Sequence, residues 1–93
     1  TAKEMIDNDE VVIIDVRTQE EYDEGHLPNS TLLPLDEIED RLSELDKDKA
    51  YLLVCNSGNK SGQAGEILGE NGFEKVYNLE TGIKKWPYEI EEN

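Results

Sequence analysis

Val11-Val12-Ile13-Ile14-Asp15-Val16 is the stretch that decides the fold. It is a continuous β-branched run with no polar alternation, so the strand it predicts leaves neither face to water. A strand covered on both faces belongs in a parallel sheet. Ala50-Tyr51-Leu52-Leu53-Val54 repeats the pattern, and Val76-Tyr77-Asn78-Leu79 gives a third clear strand. Thr31-Leu32-Leu33 is long enough only for a short strand before Pro34.

Helical signals fall between these strands. Thr1 with Glu4 forms a capping box for a short helix to about Asn8, and Thr18 with Glu21 forms another, stopped by Gly25. Asp36 with Glu39 predicts a third helix, with Ile38, Leu42 and Leu45 on one face. From Ser61 a helix is expected to run to Asn71, burying Ala64, Ile67 and Leu68, with Gly72 as its stop. Gly62, Gly65 and Gly69 within it each cost about 1 kcal/mol relative to Ala, which close packing against the sheet would explain. Regular alternation of strand and helix implies right-handed crossovers. The expected fold is three-layer α/β, a parallel β-sheet flanked by helices on both faces.

The chain of 93 residues, 1–93, has room for a single domain. Its 23 Asp and Glu outweigh 9 Lys and Arg, giving a net charge of −14. That balance argues against nucleic acid, which is bound through basic surface, and against anionic membranes. It leaves room for a basic protein partner beside the simpler role of solubility. No apolar run approaches the roughly 20 residues needed to span a bilayer, and no signal peptide opens the sequence. One cysteine makes neither an internal disulfide nor a thiolate metal site, so no metal or other cofactor is implied. A reducing compartment, most simply the cytoplasm, fits that usage.

Sites in parallel sheets form beyond the carboxyl ends of the strands. Cys55 stands at such an end, followed by the polar loop Asn56-Ser57-Gly58-Asn59-Lys60 and then by a helix from Ser61. Successive backbone N–H groups in such a loop, with the helix N-terminus, make a concave cluster of positive partial charge. A thiolate at its centre is stabilised, so Cys55 is expected to ionise more readily and to act as a nucleophile. Gly58 permits the tight turn, and Lys60 adds a charge that attracts an anionic donor. The competing reading is a small buried hydrophobe at a strand end.

Several separated segments resemble the rhodanese homology domain in order and spacing. They are Asp15-Val16-Arg17; Glu21 to Pro28 (Glu-Tyr-Asp-Glu-Gly-His-Leu-Pro); Cys55 to Ser61; Gly72-Phe73; Val76 to Leu79; and Gly82 with Trp86. The resemblance covers residues 11 to 87 and implies sulfur transfer through a persulfide on Cys55. The N–H groups of Asn56, Ser57, Gly58, Asn59, Lys60 and Ser61 would cradle the outer sulfur. It further implies a small anionic sulfur donor such as thiosulfate or a persulfide, and an external acceptor, a thiol, a protein cysteine or cyanide. Related phosphatases carry a loop one residue longer that ends in arginine, so phosphatase or arsenate reductase chemistry is the weaker enzyme reading. A non-catalytic interaction module on the same fold is the other alternative.

The sequence departs from the family's usual pattern in four places. Lys60 stands where many members have arginine, Asn29-Ser30 replaces Gly-Ala, and Thr81 replaces the first of two glycines. The usual first edge strand would lie before Thr1. Arg17 is expected near the pocket as an anion-attracting group. Asp15, Arg17, Glu21 and His26 together are otherwise expected to brace the segment after the first strand rather than to act on Cys55. Trp86 and Phe73 are expected as core anchors.

Overall fold

The structure is a computed structural model and describes residues 11–55, 59–79 and 82. Its strands are β1 (Val12–Asp15), β2 (Thr31–Leu32), β3 (Tyr51–Val54) and β4 (Val76–Asn78). They form one sheet in the order β2-β1-β3-β4, and every pairing is parallel. In the central pair Val12 lies beside Tyr51, Ile13 beside Leu52, Ile14 beside Leu53 and Asp15 beside Val54. The ladder runs slightly past the strands at their carboxyl ends. Val16 N–H donates to the Val54 carbonyl at 3.0 Å, Leu33 N–H to Asp15 at 2.8 Å, and Leu79 N–H to Leu53 at 3.0 Å.

Alternating side chains of β1 and β3 feed two separate buried clusters, which is why these strands carry no polar alternation. On one face Ile14, Val16, Tyr51, Leu53 and Cys55 pack with Leu33, Ile38, Ala64, Leu68 and Phe73. On the other, Ile13, Leu52 and Val54 pack with Leu27 and Leu79. Each fully buried Leu or Ile contributes about 1.5–3 kcal/mol by leaving water. Phe73 is a core anchor as expected, meeting Tyr51 edge to face with ring centroids 6.0 Å apart. Trp86, the N-terminal helix expected from Thr1 to Asn8, Thr81 and any strand before Thr1 lie outside the described residues.

Helix α1 (Gln19–Glu24) opens on the capping box that the sequence spells out. Thr18 Oγ1 accepts from Glu21 N–H at 3.2 Å, and Thr18 N–H donates to Glu21 Oε1 at 3.1 Å. Helix α2 (Asn59–Glu70) begins two positions earlier than expected and lays Ser61, Ala64 and Leu68 on the sheet. It ends in a Schellman turn: Phe73 N–H reaches the Leu68 carbonyl at 3.0 Å and Gly72 N–H reaches Gly69 at 3.2 Å. Gly72 stands at φ 91°, which glycine adopts without a steric penalty.

The third expected helix is not α-helical. Leu35–Glu37 and Leu42–Glu44 are short 3₁₀ turns, and neither carries a side-chain cap. The segment is tied at both ends, Leu35 N–H to the Val16 carbonyl at 3.0 Å and Asp46 N–H to the Tyr51 hydroxyl at 2.8 Å. So short a span gains little from helical cooperativity. Two tight turns still bury Ile38 and pack Leu42 and Leu45 on the same cluster, so the apolar spacing is satisfied by another route.

Close packing does not account for all three helix glycines. A Cβ at Gly65 would meet Leu53 Cδ1 at 3.7 Å and one at Gly62 would meet Asn78 Nδ2 at 3.7 Å, both ordinary contacts. At Gly69 nothing lies within 4 Å. Gly69→Ala is therefore expected to stabilise the fold by about 1 kcal/mol through the lower backbone entropy of the unfolded chain. Urea unfolding measures it, and a loss of stability would reveal crowding around α2 that these distances do not contain.

Candidate functional site

β3 ends at Val54, Cys55 follows, and α2 starts at Asn59. Asn56, Ser57 and Gly58, three of the residues expected to cradle the outer sulfur, lie outside the described residues. The other three expected there, Asn59, Lys60 and Ser61, occupy the first turn of α2, whose N–H groups are not used by the helix's own ladder.

The alternation of β3 decides where the sulfur goes. Tyr51, Leu53 and Cys55 share the α2 face, so the thiol is 2% exposed and packs in the cluster that holds Ala64 and Leu68. Ser61, fully buried, puts its Oγ 3.4 Å from Cys55 Sγ. The same hydroxyl donates to Asn78 Oδ1 at the end of β4. One run of contacts thus joins three elements: the sulfur at the end of β3, the hydroxyl on α2 beside it, and the β4 amide that accepts from that hydroxyl.

Asn78 was not singled out in the sequence. The signal available was its parity: it shares a strand face with Val76, and both come within 4 Å of the glycine face of α2.

The charged residues fall into distinct groups. Lys60 is exposed and, with Val16, Arg17, Thr18, Pro34, Leu35 and Asp36, lines a pocket of about 50 Å³. That is room for little more than one small group. A wider cleft of about 480 Å³ shares Thr18, Pro34 and Asp36 with it and continues past Leu32 and Glu37 to Arg41. Arg41 bonds Glu44 through Nε at 2.9 Å and Nη2 at 3.0 Å. That hydrogen bond raises the guanidinium pKa and holds the Glu44 carboxyl below its ordinary range.

Arg17, expected near the pocket, contributes to its wall, and its guanidinium is bonded to Asp15 and to the Gly25 carbonyl. Nε lies 2.9 Å from Asp15 Oδ1, and Nη2 lies 2.7 Å from Asp15 Oδ2 and 2.5 Å from the Gly25 carbonyl. Asp15 is fully buried and Arg17 is 5% exposed. Asp15, Arg17, Glu21 and His26 each bond within the segment from Asp15 to His26. Glu21 closes the α1 capping box. His26 stacks on Tyr22 with centroids 3.9 Å apart, and its Nδ1–H donates to the Tyr22 carbonyl at 2.8 Å. Tyr22 in turn donates from its hydroxyl to the Ser30 carbonyl at 2.7 Å.

The chain belongs to the family of rhodanese-like domains, which it matches over residues 1–89. Among relatives of known name, it is 40% identical over 85 residues to the putative sulfurtransferase YtwF of Bacillus subtilis, covering 90% of this chain and 82% of that protein. It is 36% identical over 83 residues to the thiosulfate sulfurtransferase GlpE of Pseudoalteromonas translucida, covering 89% and 79%. The putative sulfur carrier protein YrkF of Bacillus subtilis is 38% identical over 85 residues, of which the chain spans 46% of the length. The uncharacterized Bacillus subtilis protein YqhL is spanned over 59%. Among solved structures, a rhodanese-related protein of Thermoplasma volcanium superposes with a TM-score of 0.89 at 29% identity, covering 99% of this chain and 95% of that one. A rhodanese-like domain protein of Staphylococcus aureus gives 0.82 at 39% identity, covering 89% and 81%.

The buried Asp15–Arg17 pair gives a stability prediction. Arg17→Met would strand a carboxylate that is fully buried, at a cost of about 3–5 kcal/mol. Urea unfolding of the variant reads this directly. A loss below about 1 kcal/mol, as for a surface pair, would show that the two groups reach water in solution.

Proposed function

We propose that this domain is a sulfurtransferase that carries sulfur as a persulfide on Cys55. The observation that supports the reading best is the position of the Cys55 sulfur, which is held at the carboxyl edge of the sheet against the first turn of α2 and touched by the Ser61 hydroxyl. The names of the relatives GlpE and YtwF agree with it.

The chemistry balances in two displacements. Cys55 thiolate attacks the outer sulfur of thiosulfate; the new sulfur–sulfur bond forms as the old one breaks, and sulfite leaves with the electron pair. A persulfide donor reacts in the same way and releases its thiolate. In the second step an external thiolate or cyanide attacks the outer sulfur of the Cys55 persulfide, and Cys55 returns as thiolate. The chain's single cysteine means that release needs an acceptor from outside the domain. The N–H groups of Asn56 through Ser61 hold the negative outer sulfur, as helix N-termini and loop nests hold anions. Lys60, exposed at the pocket wall, draws in an anionic donor against the net charge of −14. Arg17 holds that wall through Asp15 and Gly25.

No described helix is long and apolar enough to cross a membrane. A cytoplasmic setting, in which an external thiol acceptor is abundant, suits the proposed cycle.

Intact mass after incubation with thiosulfate tests the proposal. The protein is expected to gain one sulfur atom, to lose it on addition of cyanide, and to gain none as Cys55→Ala. Lys60→Ala is expected to load several-fold more slowly, with the difference shrinking as salt screens the charge. No gain with thiosulfate, and none with a persulfide donor, would overturn the proposal in favour of a non-catalytic docking module.

A further inference from the structure

The small pocket beside Lys60 does not end at its own walls. Thr18, Pro34 and Asp36 border it and also the cleft of about 480 Å³ that runs on to Arg41. Of the small pocket's other walls, Val16 belongs to the same buried cluster as Cys55, and Leu35 packs against that cluster. Val16 N–H also bonds the carbonyl of Val54, the residue before the cysteine. The cleft therefore leads toward the sulfur. Its size matches cavities that take drug-sized molecules, well beyond what thiosulfate or cyanide fills.

The charge of the cleft is negative. Asp36 and Glu37 both stand exposed on the first 3₁₀ turn. Arg41 is the one cation among the described lining residues, and it is held by Glu37 at 3.5 Å and by Glu44 at 2.9 Å. Such a wall repels the anionic donor that Lys60 attracts, and it draws in a cation.

We propose that this cleft docks the sulfur acceptor, and that the acceptor is a protein segment in which Lys or Arg flanks the receiving cysteine. The proposal rests on the persulfide reading and names its acceptor. The flanking cations lie against Asp36 and Glu37 while the cysteine enters the small pocket, a span that a lone thiol does not bridge. The acceptor thiolate, its proton already lost to solvent, attacks the outer sulfur of the Cys55 persulfide. A sulfur–sulfur bond forms on the acceptor, the bond to Cys55 breaks, and Cys55 keeps the electron pair as thiolate. Charge thus sorts the two partners: Lys60 takes the anion, and the neighbouring carboxylates take the cationic segment.

Two measurements test this. The first involves no sulfur: amide NMR shifts are followed as the peptide Gly-Lys-Ser-Lys-Gly is added, with Gly-Glu-Ser-Glu-Gly as its counterpart. The lysine peptide is expected to shift Thr18, Gln19, Leu32 and Glu37, and the glutamate peptide to shift none of them. The second loads Cys55 with thiosulfate and follows by mass the passage of sulfur to Gly-Lys-Cys-Lys-Gly and to Gly-Glu-Cys-Glu-Gly. Each rate is divided by that peptide's own reactivity with a small disulfide. The lysine peptide is expected to be favoured, and Asp36→Asn with Glu37→Gln to cut that preference about fivefold, the scale of two exposed charge pairs. The same double substitution is expected to speed loading by thiosulfate, which mere damage to the fold would not do. Glu66→Gln with Glu70→Gln removes two exposed carboxylates from α2 instead and is expected to leave the preference as it was.

No preference, an equal loss from the α2 pair, or lysine-peptide shifts scattered over the acidic surface would overturn the proposal. A protein that loads sulfur but gives one of those results keeps the persulfide reading and loses the docking cleft. Shifts confined to the cleft in a protein that gains no sulfur would do the reverse.

Discussion

The register of β1 on β3 is the constraint from which the rest of the molecule hangs. With Asp15 beside Val54, each strand sends alternate side chains into two different clusters. A slip of one residue would exchange the faces. Such a slip of β3 would turn the Cys55 sulfur away from α2, and one of β1 would press the Asp15 carboxylate into the apolar cluster beneath that helix. The β-branched run of β1 tolerates apolar burial on either side, so it does not fix the register alone. The polar residues at the carboxyl ends add to it, through the pairing of Asp15 with Arg17 and the contact of Cys55 with Ser61.

Those two polar pairs divide the carboxyl edge between structure and chemistry. Asp15 and Arg17 are taken out of water at considerable cost, which is repaid only because the guanidinium meets both carboxylate oxygens and the Gly25 carbonyl. The benefit is positional. The pair ties the end of β1 to the segment after α1, and the Thr18 cap and the Tyr22–His26 stack then hold that segment in place. This fixes the wall on which Thr18 and Pro34 border both the small pocket and the wider cleft. On the opposite face the sulfur lies beside the Ser61 hydroxyl, which in turn meets the Asn78 amide.

Much of this was legible in the residues. The strand runs, the Thr18–Glu21 capping box, the Gly72 stop and the placing of Cys55 at a strand end all rest on local chemistry that acts within a few residues. The segment from Asp36 to Leu45 was misread because an apolar spacing of three and four fits a helix and a pair of 3₁₀ turns alike. Its two tethers, to Val16 and to Tyr51, chose between them, and both come from distant strands. The glycines of α2 carry a similar lesson: their cost is local, but whether packing demands them depends on what the sheet places opposite, and at Gly69 it places nothing within reach.

The sequence by itself determined the class of fold and the order of its elements and placed its single cysteine at a strand end, because hydrophobic period, capping and turn chemistry are written along the chain. The tertiary structure alone decided which face each polar side chain serves. Arg17 lines the small pocket with Lys60, and the fold adds that its guanidinium meets both carboxylate oxygens of Asp15. Asn78 was an unremarked strand residue until the sheet order set β4 beside β3 and brought its amide to the hydroxyl on the sulfur. Contacts between residues far apart in sequence depend on register and layer packing, and no local pattern encodes those.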